Sequence, residues 1–431
     1  MASRYAQWMY DWETRLTSVD NNRVVRPLEW GVEWARDWPC RNGSVPGFKD
    51  SLINSNFVIS SGAESPVYGR YCGVETCPER PGGAQRRGGV EREPAFTSAT
   101  LDQSSREPEN AEQFFREYNQ RIVAASDEFY SYTRPSDFRL ERREVKVHST
   151  REVPDPSLEE KVRGTYANFL RFTSPVHTPY PENNLANARW FPAAGRNALV
   201  LLPHWNSDAV AYTGLCRVLN FFGIAVLRLS MPYHDIRMPA AIGRADYAVS
   251  ANIGRTMDAA RQGVIDIRCC FDWLESQGYK HLGIAGTSLG SCYAFLAAAH
   301  DPRIRVAAFN HASTYFADVV WHGQSTRHIR HGLEKELDVE RLRVLWSAIS
   351  PMSYFRQFSR WLRKSLIVYA KYDLTFLPEF SRQVVAEFAS HHLDHKVAVL
   401  PCGHYTTGEA PFKYIDGWHL ASFLRSAFED V

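Results

Sequence analysis

The segment His281-Leu-Gly-Ile-Ala-Gly-Thr-Ser-Leu-Gly-Ser-Cys-Tyr-Ala-Phe-Leu-Ala-Ala-Ala-His300 contains at its centre the five residues Gly286-Thr287-Ser288-Leu289-Gly290. These residues match the G-x-S-x-G pattern of a nucleophile elbow. Residues 282–285 form a short apolar run that is typical of a buried parallel strand, and residues 291–300 have the small apolar side chains of a packed helix. An abrupt turn from strand to helix predicts a strained backbone at Ser288, with its hydroxyl exposed at the end of the strand.

Further apolar segments predict an alternation of strands and helices around this one. The predicted strands cover residues 186–191, 198–203, 224–229, 282–285, 305–310, 366–370 and 397–400, with the first two interpreted as a pair joined near Gly195. The predicted helices between them include residues 215–222 and 252–277. This alternation predicts an α/β fold with a mostly parallel sheet, flanking helices and ligands beyond the carboxyl ends of the strands.

Before residue 186 the pattern is less regular. Helical spacing from residue 111 to about 130 predicts a helix, and residues 140–148 alternate as a strand does. A second helix is expected from Pro156, with an apolar stripe formed by Leu158, Val162, Tyr166 and Leu170.

The chain before residue 111 has two parts of different composition. Residues 1–59 form a tryptophan-rich N-terminal arm, in which Trp8 and Trp12 are four residues apart, as are Trp30, Trp34 and Trp38. This spacing predicts one aromatic face on each of two helices. Acidic neighbours favour docking of these faces against the rest of the protein, with membrane association as the less favoured alternative. Residues 60–110 are rich in proline, glycine and arginine, which predicts a linker or an irregular excursion.

The composition restricts the class of protein. The 431 residues are 44% hydrophobic and 23% charged, with a formal net charge of +2. Such a small charge predicts no nucleic-acid partner. Residues 1–15 carry several charges and lack a secretory apolar region, and the longest strongly apolar run, residues 292–299, is too short to span a bilayer. We therefore expect a soluble, cytoplasmic protein. The eight cysteines are scattered, so no metal site is expected.

A serine nucleophile needs a general base, and the base needs a third group that orients it. The elbow predicts the chain order serine, acid, histidine. Asp373 follows the predicted strand at residues 366–370, and His404 follows the strand at residues 397–400. Three side chains at three strand ends predict a Ser288, Asp373, His404 triad. The alternatives are a turn aspartate that caps the next helix and an exposed loop histidine.

The remaining parts of the predicted site come from loops at the same edge of the sheet. The backbone N–H groups of Leu289 and Trp205 are expected to form the oxyanion hole. The insertion at about residues 314–364 contains many aromatic residues, and we expect it to form a lid over the elbow. The side chains expected to contact substrate are His204, Asn206, Tyr233, His234 and Trp321.

With this elbow, this strand alternation and this order of Ser288, Asp373 and His404, residues 186–428 resemble the α/β-hydrolase superfamily. Within it they look like the dienelactone-hydrolase and acetyl-esterase-like members and the abhydrolase-18-type branch. The resemblance implies an eight-stranded, mostly parallel sheet and hydrolysis of an acyl bond through an acyl-enzyme. The chain departs from the lipase pattern because His204-Trp205-Asn206 replaces the HGGG loop.

The sequence thus predicts an α/β-hydrolase domain at residues 111–431, with a helical lid insertion and an N-terminal extension. The expected activity is that of a serine hydrolase acting on a small-molecule carboxylic ester, with no metal or organic cofactor. Two alternatives use the same triad: an amide or peptide hydrolase, and a lipid acyl hydrolase. A non-catalytic binding protein is a further alternative, from a different class.

Overall fold

The computed structural model describes residues 4–20, 23–35, 110–146, 160, 162–361 and 364–430. Its centre is a nine-stranded mixed sheet. The strands are β1 (Arg139–Glu144), β2 (Tyr166–Thr173), β3 (Leu185–Phe191), β4 (Asn197–Leu202), β5 (Ile224–Leu229), β6 (His281–Thr287), β7 (Ile304–Asn310), β8 (Lys364–Ala370) and β9 (His395–Leu400). Their spatial order is β1-β2-β3-β5-β4-β6-β7-β8-β9. The first three strands pair in antiparallel fashion, and β3 is also antiparallel to β5, whereas every pair from β5 to β9 is parallel.

Helices cover both faces of this sheet. They are α1 (Arg4–Thr17), α2 (Ala111–Ala124), α3 (Ser126–Phe129), α4 (Thr213–Phe221), α5 (Ile253–Ser276), α6 (Leu289–His300), α7 (Phe316–His322), α8 (Arg327–Leu333), α9 (Val339–Leu345), α10 (Phe355–Phe358), α11 (Pro378–Ser390) and α12 (Phe412–Glu429). Alternate residues of β4 point to opposite faces. Val200 belongs to an apolar cluster that includes residues of α2, α5 and α6, and Leu199 belongs to another that includes residues of α1, α4 and α12. Because both faces are covered, the central strands are apolar throughout rather than alternating.

The predicted fold class is confirmed, with nine strands in place of the expected eight. The strand that the sequence-based prediction lacks is β2, since a strand was expected at residues 140–148, where β1 lies. β1 lies at one edge of the sheet and is highly charged. Glu141 on this strand forms ion pairs with Arg139, Arg143 and Arg171. Charged side chains on an edge strand oppose further strand addition.

Two details of the predicted sheet are wrong. The strands β3 and β4 do not form a pair, because β5 lies between them. Tyr166 and Leu170 lie in β2 and not in a helix. A spacing of four residues is a multiple of two, so it places side chains on one face of a strand as well as on one face of a helix. Within the described part of the chain, no helix has both the length and the apolar composition needed to cross a membrane.

The described part of the N-terminal arm packs against the sheet and its helices. Met9 of α1 is fully buried beside β9 and α12. The predicted second tryptophan helix is wrong for residues 30–35, where only a three-residue 3₁₀ turn forms, preceded by Gly31 at a φ of 65°. Trp30 nevertheless stacks on Phe115, and Trp34 stacks on Tyr180. Trp38 and the predicted linker up to residue 109 lie outside the described residues.

The insertion between β7 and β8 contains α7 to α10 and is anchored to the core. The side chain of Asn119 on α2 donates to Leu345 O (2.7 Å) and accepts from Ala348 N (2.9 Å). Trp346 is fully buried, and its Nε1 donates to Ile253 O at 3.3 Å. Arg341 forms an ion pair with Glu112 of α2. The insertion is therefore a fixed wall of the domain along these contacts.

Candidate active site

Ser288 lies between β6 and α6 with φ 57° and ψ −121°. A non-glycine residue rarely adopts a positive φ, so the backbone strain expected at this position is present. The turn is tied to the end of β7 by two contacts. Ser288 N donates to Asn310 O at 2.8 Å, and Ser291 Oγ donates to Ser288 O (2.7 Å) and to His311 O (2.8 Å). These bonds hold the strained turn in place.

The two glycines of the motif allow close backbone contacts. A Cβ on Gly286 would lie 2.1 Å from Gly290 O, and a Cβ on Gly290 would lie 2.4 Å from Pro203 O. Both distances are far inside van der Waals contact, so a side chain at either position would force the turn apart. The spacing of glycines on each side of Ser288 thus follows from the sharp turn and from its contact with the end of β4.

Ser288, His404 and Asp373 form a continuous chain of hydrogen bonds. Ser288 Oγ lies 3.1 Å from His404 Nε2, and His404 Nδ1 lies 3.0 Å from Asp373 Oδ2. The other carboxylate oxygen of Asp373 accepts from Thr375 N (2.8 Å) and Phe376 N (2.7 Å). Phe376 also stacks on the His404 ring. This geometry is that of a nucleophile, a general base and the group that orients the base.

The charges and hydrogen bonds around His404 favour the protonated form of its imidazole. Burial raises the pKa of the Asp373 carboxyl, but the positive charge of His404 and the hydrogen bond from His311 outweigh it and hold that pKa well below its usual range. Burial lowers the pKa of the His404 imidazole, but the Asp373 charge and hydrogen bond, followed by the charge of Glu13, raise it above its usual value. An ionised acid beside a histidine of raised pKa stabilises the imidazolium that forms when the histidine accepts a proton.

A second histidine, His311, shares the carboxylate and was not anticipated from the sequence. Its Nδ1 lies 2.8 Å from Asp373 Oδ2, and its side chain is 1% exposed. Because an ionised carboxylate only accepts, the Nδ1–H group of His311 donates. Burial and the nearby His404 lower the pKa of His311 more than Asp373 raises it, so this imidazole stays neutral. His311 directly follows β7, and the strand-end rule that identified Asp373 would also have identified it.

His311, Asp373 and His404 also form a cluster whose potential ligand atoms lie within 4.8 Å of one another. Imidazole nitrogens and a carboxylate are suitable zinc ligands. In the present geometry both Nδ1 atoms are hydrogen-bonded to Asp373 Oδ2. A metal ion could therefore bind there only in place of these hydrogen bonds.

The loop after β4 lies beside the elbow. Trp205 and Leu289 both line the cavity at Ser288. Among the described residues, the backbone N–H groups of these two residues donate to no other group. Ala245 anchors this loop through two hydrogen bonds. Trp205 Nε1 donates to Ala245 O (3.0 Å), and Ala245 N donates to Asn206 Oδ1 (2.8 Å). Two unused N–H donors beside the nucleophile fit the requirement of an oxyanion hole.

The cavity beside Ser288 contains about 510 Å³ of space not filled by atoms, part of it open to solvent. The insertion supplies much of its wall, through Tyr315, Phe316, Val319, Val320, Ser325, Thr326 and Pro351. Val249, Cys292, Ser313, Thr375 and Phe376 complete the lining with the elbow and Trp205. No Asp, Glu, Lys or Arg is among these described residues. The cavity can therefore hold an apolar group next to the serine, with uncharged side chains as its contacts.

The side chains expected to contact substrate are not among those that line this cavity. Tyr233 and His234 are 0% and 1% exposed, because the loop after β5 turns back into the core and packs on Tyr180 and Tyr247. Trp321 faces a second depression on the other side of α7.

His204 and Asn206 are used within their own loop. His204 Nδ1 lies 3.0 Å from the hydroxyl of Tyr212, and Asn206 holds Ala245. The burial of Tyr233 and His234 contradicts the prediction that their side chains contact substrate. For Trp321, His204 and Asn206 the prediction stays a prediction, since none of them lines the cavity beside Ser288.

No family model and no curated protein matches the chain. Solved structures do match, among them esterases and a peptidase of the α/β-hydrolase superfamily. An acetyl xylan esterase from Thermoanaerobacterium sp. has 14% identity and a TM-score of 0.47, over 74% of this chain and 94% of that one. A Pyrococcus furiosus esterase has 14% identity and a TM-score of 0.41, over 57% and 87%. A Pyrococcus horikoshii acylaminoacyl peptidase has 9% identity and a TM-score of 0.42, over 66% of this chain but only 41% of that chain's length.

The assignment of the fold rests on features of this chain itself. Parallel strands run from β5 to β9 in the order 5-4-6-7-8-9, with antiparallel β3 beside β5. The elbow serine follows β6, the acid follows β8 and the histidine follows β9. These placements match the nucleophile elbow and the triad order of the α/β-hydrolases. The chain has the α/β-hydrolase fold.

Proposed function

We propose that this protein is a serine hydrolase that cleaves carboxylic esters through an acyl-enzyme. The observation that carries the proposal is the chain of contacts from Ser288 Oγ to His404 Nε2 at 3.1 Å and from His404 Nδ1 to Asp373 Oδ2 at 3.0 Å. A serine hydroxyl is activated for attack when a neutral imidazole can remove its proton.

In the proposed reaction, Ser288 Oγ attacks the ester carbonyl carbon while His404 Nε2 accepts the hydroxyl proton. The carbonyl oxygen becomes an oxyanion that accepts hydrogen bonds from the backbone N–H groups of Leu289 and Trp205. When the tetrahedral intermediate collapses, His404 protonates the leaving alkoxide, and an alcohol departs. Water, deprotonated by His404, then attacks the acyl-Ser288 ester. When this second intermediate collapses, the carboxylic acid is released and His404 returns the proton to Ser288 Oγ.

The lining of the cavity favours an ester with an apolar acyl group. Three valines, two phenylalanines and a leucine line the cavity beside Ser288, and none of the lining side chains is charged. A peptide segment in the same space would bury backbone N–H and C=O groups that find few partners, which is energetically costly. An ester loses no N–H donor in this environment.

Turnover of p-nitrophenyl esters with acyl chains from two to twelve carbons, compared with matched anilides, tests this proposal. We expect ester hydrolysis with a preferred chain length and much slower hydrolysis of the anilides. The Ser288→Ala variant is the control for background reaction. Preferential cleavage of the anilides would support an amide hydrolase instead. Hydrolysis of lipids in vesicles, without hydrolysis of the p-nitrophenyl esters, would support a lipid acyl hydrolase. Absence of turnover and of covalent labelling at Ser288 would refute the proposal.

A further inference from the structure

Helix α1 of the N-terminal arm contacts the loops that carry two of the three site residues. Tyr5 and Tyr10 pack edge-on against Tyr372, the residue before Asp373. The Tyr5 hydroxyl donates to Pro401 O, three residues before His404. The helix therefore lies directly behind the site, although it is more than 350 residues away from these loops in the chain.

A buried carboxylate on this helix binds the His404 loop. Glu13 is fully buried, and its Oε1 accepts from Tyr405 N at 2.8 Å. Its Oε2 accepts from Thr406 N (3.0 Å) and from Thr406 Oγ1 (3.1 Å). Glu13 thus fixes the two residues that follow His404. Burying a carboxylate is unfavourable unless hydrogen bonds compensate for the lost water, and here the loop supplies three of them.

The Glu13 carboxylate also restricts which residue type can stand at position 403, directly before His404. Thr406 Oγ1, which donates to Glu13, accepts from Gly403 N at 2.6 Å. A Cβ at Gly403 would lie 2.4 Å from Glu13 Oε2. Glycine at this position therefore allows the carboxylate to approach the backbone on both sides of His404.

A second acid on the arm holds the loop from its outer side. Asp20 is 2% exposed, and its Oδ2 accepts from the Tyr405 hydroxyl at 2.6 Å. Arg23 and Arg244 pair with its other oxygen at 3.1 and 3.5 Å. The loop that carries His404 is consequently bound to the arm at residues 405 and 406.

We propose that Glu13 is a positioning residue for His404, so that the N-terminal arm forms part of the active site of the hydrolase. This inference rests on the proposed function. A loop held by a buried carboxylate keeps Nε2 of the histidine within reach of Ser288 Oγ, and small displacements of a catalytic base greatly reduce the rate. Burial and the charge of Asp373 raise the pKa of the Glu13 carboxyl, against the lowering effect of the hydrogen bonds from the loop backbone and of the charge of His404. In its ionised form, Glu13 also places a negative charge near the imidazolium that forms during attack.

The charge of Glu13 provides a readout that a purely structural role would not affect. The ionisable groups facing His404 are Asp373, His311, His204 and Glu13. Among these, Glu13 raises the pKa of His404 through its charge, after the larger contributions of Asp373. Removing that charge should lower the pKa of His404, so the acid limb of kcat should move to lower pH.

The test uses the full-length protein with the substitution Glu13→Gln, which keeps the size of the side chain and removes its charge. We expect kcat per active site, counted by fluorophosphonate titration, to fall roughly 10- to 100-fold, as for loss of a hydrogen bond to a charged group. KM for a short acyl ester should change less than about threefold, and the acid limb should shift to lower pH. The matched control is Asp11→Asn on the exposed side of the same helix, where Asp11 Oδ1 accepts from Gln7 Nε2 at 3.0 Å. That variant should behave as the wild type.

A lower melting temperature with unchanged kcat per titrated site and an unchanged acid limb would overturn the inference. If Glu13→Gln does not fold, the same measurements on Thr406→Val test the inference, because this substitution removes the hydroxyl that links Glu13 to Gly403. An unchanged kcat per site in that variant would equally overturn it. A wild-type protein that neither hydrolyses esters nor reacts with the fluorophosphonate would refute the proposed function itself. An active wild type with Glu13→Gln equal to Asp11→Asn would refute only the role of Glu13.

Discussion

His311 and His404 donate to the same oxygen atom, Asp373 Oδ2, at 2.8 and 3.0 Å. Their rings are 4.6 Å apart between centroids, so two positive charges there would repel strongly. The pKa of His404 is raised and that of His311 is lowered, so His404 binds a proton more readily than His311, as the proposed reaction requires. His311 then acts on Asp373 by holding the carboxylate in its orientation.

Substitution of His311 should therefore reduce kcat without removing the base. We expect His311→Ala to lower kcat roughly 10- to 100-fold, because Asp373 loses a charge-assisted hydrogen bond. In His311→Asn, Nδ2 can occupy the place of Nδ1, and asparagine tolerates the positive φ of 55° at this position, so most activity should return. His392→Ala, at an exposed histidine with a similar φ, is the control. Equal kcat values for the alanine and asparagine variants would argue against this role.

The pH dependence of kcat/KM should report the raised pKa of His404. The base must be neutral, so activity should rise with pH through an apparent pKa above the ordinary histidine value of about 6.5. In Asp373→Asn the raising charge is lost, so the acid limb should move to lower pH while kcat falls by roughly 10⁴. Rate measurements from pH 5 to 9 on both proteins test this. A wild-type limb centred well below 6.5 would contradict the assignment.

A buried acid on α12 should make stability depend on pH. Burial raises the pKa of Asp416 to about 7, although Asn310 Nδ2 donates to both of its oxygens at 3.0 and 2.9 Å. Below about pH 4, both the folded and the unfolded chain hold this proton, so it costs nothing. Between about pH 4 and 7 the unfolded chain releases the proton first, so the free energy of unfolding falls as pH rises.

Asp416→Asn should remove this dependence. A rise from the ordinary value to about 7 corresponds to at most roughly 4 kcal/mol. Relative to the wild type, the variant should therefore become progressively more stable from pH 4 to pH 7, with no further change above. Urea unfolding at several pH values measures the difference. Glu429→Gln, at an exposed acid on the same helix, is the control for replacing an acid on α12 by its amide. A stability difference between Asp416→Asn and the wild type that does not change with pH would contradict the raised pKa of Asp416.

The lining of the cavity predicts which residues determine the preference for acyl-chain length. Val319 is 9% exposed and lines the cavity from α7. We expect Val319→Phe to reduce kcat/KM for an octanoyl ester roughly 10-fold or more, and to change that for an acetyl ester much less, because the larger side chain occupies acyl space. Val344→Phe, on an exposed position of α9 in the same insertion, is the matched control. An equal loss of kcat/KM with both esters would indicate that the acyl group binds elsewhere.

The features that were predictable from the sequence are local ones. A nucleophile elbow is contiguous in the chain, and Asp373 and His404 each follow an apolar strand whose end can be recognised without the fold. The strands β5, β6 and β7 were placed within a few residues for the same reason, since buried parallel strands are continuous apolar runs. His311 was detectable by the same rule.

What could not be predicted depends on contacts that are distant in the chain. Glu13 accepts a hydrogen bond from Tyr405, which is 392 residues away in the sequence. Nothing in the spacing of residues along α1 distinguishes Glu13 from the exposed Asp11. Tyr233 and His234 follow a strand end, yet their loop turns into the core, because Tyr233 packs among other aromatic rings. A polar strand-end residue is therefore only a candidate until the course of its loop is known.

Reaction of the intact protein with a fluorophosphonate tests the central claim most directly. An activated serine is phosphonylated, whereas ordinary serines are inert. Peptide mass mapping should show stoichiometric modification at Ser288 and at no other serine. Ser288→Ala should abolish labelling and lower kcat by on the order of 10⁴ or more, with folding unchanged. Labelling of a different serine, or full activity in Ser288→Ala, would contradict the account.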